Sequence, residues 1–140
     1  MIKQNEWETE PDQDQWLDKE TGLPCLILRN GIGALCGYVG ISSDHPFYLF
    51  HYDNISIEEH PHGGLTFSGY WPEVKFKSFS RDTKGFLQPI WWIGFDCAHA
   101  GDLYPKGFHQ ESTDIYRNME YVKNEIKLLA RQLTEKEKDS

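Results

Sequence analysis

The hydrophobic positions of this chain change period along its length, and the changes mark out its elements. Leu23 to Arg29 and Ile32 to Ile41 are two apolar runs separated by Asn30-Gly31, a dipeptide suited to the positive φ values of a tight hairpin turn. A two-residue loop there sets Cys25 opposite Cys36, with Gly33 available to shift that register. Further strands are expected at Ile55–Glu59 and Leu65–Tyr70, on either side of a His60-Pro61-His62-Gly63-Gly64 turn. Phe76 to Phe79 alternates with Lys and Ser, as a half-exposed edge strand does. Ile90 to Asp96 is almost continuously apolar and aromatic, the pattern of a strand covered on both faces. The period then becomes helical. Ile115, Met119, Val122, Ile126, Leu129 and Leu133 follow one another at spacings of 4, 3, 4, 3 and 4, which makes one apolar stripe. Ser112 or Thr113 is the expected cap of that helix, with Asp114 at the positive end of its dipole.

These elements predict an α+β fold, an antiparallel β-sheet with one long C-terminal α-helix packed across it. A length of 140 residues suits one domain. It divides into an acidic N-terminal arm over 1–20, a β-rich body over 21–111 and the helix over 112–135. The arm is expected to be irregular or briefly helical and to dock Trp7 and Trp16 on the body. Asp44 to Asp53, mixed aromatic and histidine, is expected to be loop with a short turn.

Charge narrows the choice of partner. The net charge is −8 and no basic stripe is present to neutralise phosphates, which argues against a nucleic-acid polymer. The acidic excess lies mostly between Glu6 and Glu20 and in the C-terminal tail. A small anionic ligand is still compatible with the middle of the chain, where Arg29, Lys75, Lys77, Arg81 and Lys84 are found. No stretch is apolar and long enough to span a membrane, and Met1 to Glu6 does not open a signal peptide. A cytoplasmic protein is expected. Three cysteines without a C-x-x-C spacing point to free buried thiols rather than a disulfide framework or zinc knuckle.

Chemistry-bearing side chains gather where the apolar run Trp91 to Phe95 ends in Asp96, Cys97, His99 and Asp102. With His62, the candidates Asp96, His99 and Asp102 combine carboxylate and imidazole in a set that a divalent metal accepts. Otherwise they are a hydrogen-bonded network in which Asp96 caps turn amides. Cys97 and His62 form a candidate nucleophile–base pair, but Phe95 and Ala98 beside Cys97 favour a core thiol, and Gly101 and Pro105 argue against a long helix after it that would depress its pKa. Gly63 and Gly64 allow close backbone approach and amide contacts to an anionic oxygen, or a plain turn. Thr66, Ser68 and Tyr70 share one face of the following strand. With Tyr52, Trp71 or Trp92 they offer hydrogen bonds and stacking to a planar base or sugar. Tyr121 lies one helical turn from both Arg117 and Glu125, making a polar stripe that faces either the pocket or solvent.

The two segments His62-Gly63-Gly64-Leu65-Thr66-Phe67-Ser68-Gly69 and Trp91-Trp92-Ile93-Gly94-Phe95-Asp96-Cys97-Ala98-His99-Ala100-Gly101-Asp102 together resemble the signature of a family of small, largely uncharacterised bacteriophage and bacterial proteins. The likeness extends from Gly22-Leu23-Pro24-Cys25 to the segment with Tyr116-Arg117 and Tyr121-Val122. It implies an intracellular, phage-encoded accessory protein and no particular activity. Three functions follow. The first is a pocket that binds a small nucleotide-like ligand and hydrolyses it, with His62 or His99 as general acid/base, Asp96 orienting it, and a divalent metal as a candidate cofactor. In the second, the same pocket sequesters the ligand, for which the resemblance suggests a host immune signal. The third is a protein–protein inhibitor using the acidic arm and exposed tryptophans.

Overall fold

The computed structural model describes residues 6–73, 77–106 and 113–138. Its main sheet has five strands. They are β1 (Gln13–Leu17), β2 (Pro24–Arg29), β3 (Leu35–Ile41), β4 (Phe67–Gly69) and β7 (Trp91–Asp96), in the spatial order β1-β2-β3-β7-β4 with every pair antiparallel. A separate two-stranded ribbon joins β5 (Phe79–Arg81) to β6 (Leu87–Pro89). The one α-helix among the described residues, α1 (Met119–Lys138), packs against β3. The predicted α+β architecture is therefore the observed one.

Strand alternation sorts the core into two faces. Cys25 and Ile27 from β2, Leu35, Val39 and Ile41 from β3, and Ile93 and Phe95 from β7 meet Val122, Ile126, Leu129 and Leu133 of the helix. Leu26, Leu28 and Trp92 point the other way and gather with Ile90, Tyr38 and Phe67. Gly37 lies beneath the helix, where an added Cβ would stand 2.7 Å from the Phe95 ring and 3.0 Å from Ile126 Cδ1. The missing side chain is what lets the helix settle on β3.

Four expectations are corrected. The β2–β3 turn is longer than Asn30-Gly31. Asn30 Oδ1 accepts the amides of Ile32 and Ala34, and Gly33 takes a φ of 86°. Cys25 thus pairs with Val39 and Cys36 with Leu28, which puts the two thiols on opposite faces. The acidic arm is not merely irregular: after a 3-10 turn at Glu6–Glu8 it supplies the edge strand β1, while Trp7 and Trp16 dock on the core as expected. Ile55–Glu59 keeps its alternation, with Ile55 and Ile57 buried, but forms no strand. The Gln132 side chain on the helix accepts the Glu59 amide and donates to the Glu59 carbonyl, replacing a neighbouring strand. Finally, α1 starts at Met119 and not near Thr113. Asn118 is its cap, its Oδ1 accepting the Tyr121 amide at 2.9 Å. Ile115 instead makes a parallel bridge with Asp102. Ser112 lies outside the described residues, as do Lys75 and Phe76.

Candidate functional site

Four separate segments converge at the C-terminal end of β7. The His62 turn comes from the chain before β4, Asp96 ends β7, His99 and Asp102 follow it, and Arg117 and Tyr121 flank the start of α1. Their meeting point is the Asp102 carboxylate, whose side chain is only 1% exposed. Oδ2 accepts hydrogen bonds from His62 Nε2 at 2.7 Å and from the His99 amide at 3.0 Å, and Oδ1 accepts one from Arg117 Nε at 2.9 Å. Burial pushes the carboxyl towards its neutral form. The bonds from His62, Arg117 and the His99 amide outweigh it and hold the pKa below the usual aspartate range.

On its other side, His62 places Nδ1 2.8 Å from the Tyr121 hydroxyl, and its own amide donates to Glu125 Oε1 at 3.0 Å. Both imidazole nitrogens are thus engaged, Nε2 by an acid and Nδ1 by a phenol. The polar stripe of Arg117, Tyr121 and Glu125 faces the His62 turn rather than solvent alone. Arg117 also lies over the Tyr121 ring, with Cζ 5.1 Å from its centre. Its two terminal nitrogens make no hydrogen bond among the described residues. Arg117 lines a shallow depression of about 130 Å³ together with Ile115, Tyr116, Asn118 and Tyr121.

His99 and Asp96 form a second pair beside the first. The His62 and His99 rings are 5.8 Å apart. Asp96 accepts from the Thr66 hydroxyl at 3.1 Å and from the Ala98 amide at 3.1 Å, so it does cap the turn. His99 Nε2 stands 3.2 Å from Asp96 Oδ1 but off the hydrogen-bonding direction, and is buried without a partner. Gly63 is the reason that nitrogen is covered: at a φ of 69°, its added Cβ would lie 2.3 Å from His99 Nε2. Gly64, at a φ of 88°, has open space on that side.

The expected convergence of the His62 turn with Asp96, His99 and Asp102 is therefore found, and Gly63, Gly64, Thr66 and Tyr121 lie with them. Other predicted site residues do not. Trp92 is 1% exposed in the core cluster on the other face and offers no stacking surface. Ser68 pairs with Ile93 further along the sheet. Tyr70 belongs to a separate aromatic group, 5.2 Å from Trp91 and 6.1 Å from Trp71 between ring centres. Among the described residues no three His, Cys, Asp or Glu side chains are arranged to hold a metal. Cys97 does not suit a nucleophile: burial first, then the charges of Asp102 and Asp96, push its thiol far above the usual range.

Sequence reasoning missed Glu10. Its carboxylate accepts the Tyr116 hydroxyl at 2.7 Å and the Met119 amide at 2.9 Å, and so braces the segment that carries Arg117. No local pattern signals a contact between residues 109 positions apart. No protein-family model, curated protein or solved structure matches this chain.

Proposed function

We propose that the chain captures a small anionic, nucleotide-like ligand at the mouth of the His62–Asp102 cluster, with Arg117 as the anion-binding group. One observation carries this reading. Arg117 is anchored through Nε to a buried carboxylate and lines a depression next to Tyr121, and its two terminal nitrogens have no hydrogen-bond partner among the described residues. A guanidinium fixed in this way presents parallel N–H groups to a phosphate without first having to be ordered. The Tyr121 ring lines the same depression. The likeness to small phage and bacterial proteins adds a source for the ligand, a host signalling nucleotide withdrawn from its receptor.

Capture is preferred to turnover because the His62 network is complete without a substrate. The second reading, hydrolysis, is favoured by the Asp102–His62–Tyr121 chain, in which a buried acid orients an imidazole towards a hydroxyl. One experiment separates them. The protein is incubated with cyclic dinucleotides and NAD-derived nucleotides, washed, and heated to release what it holds. Intact nucleotide from the native protein, with at least tenfold weaker binding by Arg117→Ala, supports capture. A cleaved product that disappears in His62→Ala supports hydrolysis. Absence of binding across the panel would remove both.

A further inference from the structure

His45 is 4% exposed and fastens the loop after β3 to α1, near the opposite end of the helix from Arg117. Its Nε2 lies 2.7 Å from the Leu133 carbonyl oxygen, and its Nδ1 lies 3.0 Å from the Phe47 amide nitrogen. The two partners fix the proton. A carbonyl oxygen only accepts and a backbone amide only donates, so Nε2 carries the hydrogen and Nδ1 keeps its lone pair. This wiring belongs to the neutral imidazole alone. A second proton, on Nδ1, turns the Phe47 contact into two donors facing each other, while the bond to Leu133 becomes charge-assisted.

The segment that depends on the Phe47 contact is a turn under strain. Leu49 takes a φ of 71°, the one positive value at a non-glycine among the described residues, in a region that leucine avoids. Besides His45, the turn is held by Tyr48 Oη, which donates to the Pro89 carbonyl at 2.6 Å, and by Trp91 Nε1, which donates to the Phe50 carbonyl at 3.1 Å. We propose that His45 is a proton-operated latch: neutral, it holds the 46–50 turn to α1; protonated, it keeps the helix and lets the turn go. Leu49 and Phe50, both exposed, ride on that turn, so the latch sets how the two are presented. The surroundings set its direction. A cleft of about 220 Å³ beside the ring is walled by Leu23, Pro24, Ile41 and Ile90, and Glu137 is the one charged side chain that lines it. Asp44, next in the chain, accepts the Thr83 hydroxyl at 3.4 Å. Burial outweighs the Leu133 carbonyl and the Glu137 charge and keeps the ring below the ordinary histidine range, so the latch is shut at neutral pH and opens on acidification.

The test follows the full chain by NMR from about pH 7.5 to about pH 4.5. The His45 ring nitrogens report tautomer and protonation, and hydrogen exchange, corrected for its intrinsic pH dependence, reports the Phe47 amide. At the upper end the ring should carry its hydrogen on Nε2 only. Ring protonation and a loss of Phe47 protection of at least about tenfold should then share one midpoint, with the β3 and β7 amides still protected. His45→Gln, which cannot take up the proton, should abolish that midpoint, and His51→Ala in the same loop should keep it. Glu137→Gln, at an exposed position, serves if His45→Gln does not fold: losing a charge that favours the protonated ring should move the midpoint to lower pH. A ring that protonates with Phe47 still protected overturns the proposal. So does a midpoint that survives His45→Gln, follows His51 or is unmoved by Glu137→Gln, and so does a ring that stays neutral until the whole chain unfolds.

Discussion

His62 Nε2 meets Asp102 Oδ2 at 2.7 Å across 40 residues of chain, and this one contact joins the Gly-Gly turn to the segment after β7. Asp102 is the more vulnerable partner, because its carboxylate is buried and also serves Arg117 and the His99 amide. Asp102→Ala leaves the Arg117 guanidinium, His62 Nε2 and the His99 amide facing a void and should cost about 3–5 kcal/mol of stability. Urea denaturation measures this directly. A loss below about 1 kcal/mol, the range of an exposed pair, would mean that the network is not closed in solution.

The same carboxyl predicts an acid-side dependence. Its folded pKa is depressed, so the unfolded chain takes up the proton first as pH falls. The stabilisation is fully present above the unfolded aspartate value of about 3.9 and drains away as pH drops through the folded value. The stability gap between native protein and Asp102→Asn should therefore be constant near neutrality and narrow below about pH 4. A gap that widened on acidification would contradict the assignment.

The three cysteines are free and buried. Burial first, then the charge of Asp18, raises the Cys25 thiol to about 12, and burial with the charge of Asp96 raises Cys36 to about 11. A thiol reagent at pH 8 should label the native chain slowly and the unfolded chain rapidly, with no change in melting temperature on adding reductant. A stabilising bond lost on reduction would be incompatible with the opposite-face placement of Cys25 and Cys36.

On the helix, Ile126→Ala or Leu129→Ala removes a side chain that is 0% exposed and should cost about 2–5 kcal/mol. Lys127→Ala, on the exposed side, should lie within about 0.5 kcal/mol of the native chain. Thermal or chemical denaturation of the three variants distinguishes a docked stripe from a helix that stands away from the sheet.

The fold was legible where pattern and packing agree. The helical stripe from Met119 to Leu133 and the apolar run of β7 each bury the residues that their periods nominate. Legibility failed where a side chain replaced backbone. Gln132 stands in for a strand beside Ile55–Glu59, and Asn30 Oδ1 reorganises a turn whose dipeptide suggests a shorter one. The site was legible as a juxtaposition, since Asp96, His99 and Asp102 all follow one rigid strand. Its wiring was not: nothing in the order of residues says that His62 spends both ring nitrogens inside the protein, or that Trp92 faces the far side of the sheet.

Glu10 has a consequence for the order in which the chain assembles. It holds the Met119 amide, and through Tyr116 it reaches Arg29, so the start of the helix is fastened to the segment preceding β1. Such a fastening forms only after a loop of more than a hundred residues has closed, an entropic toll that local hairpins escape. The β2–β3 hairpin can form early, whereas the segment presenting Arg117 is set in place late. By the same argument the segment carrying Arg117 is expected to be released before the sheet on unfolding.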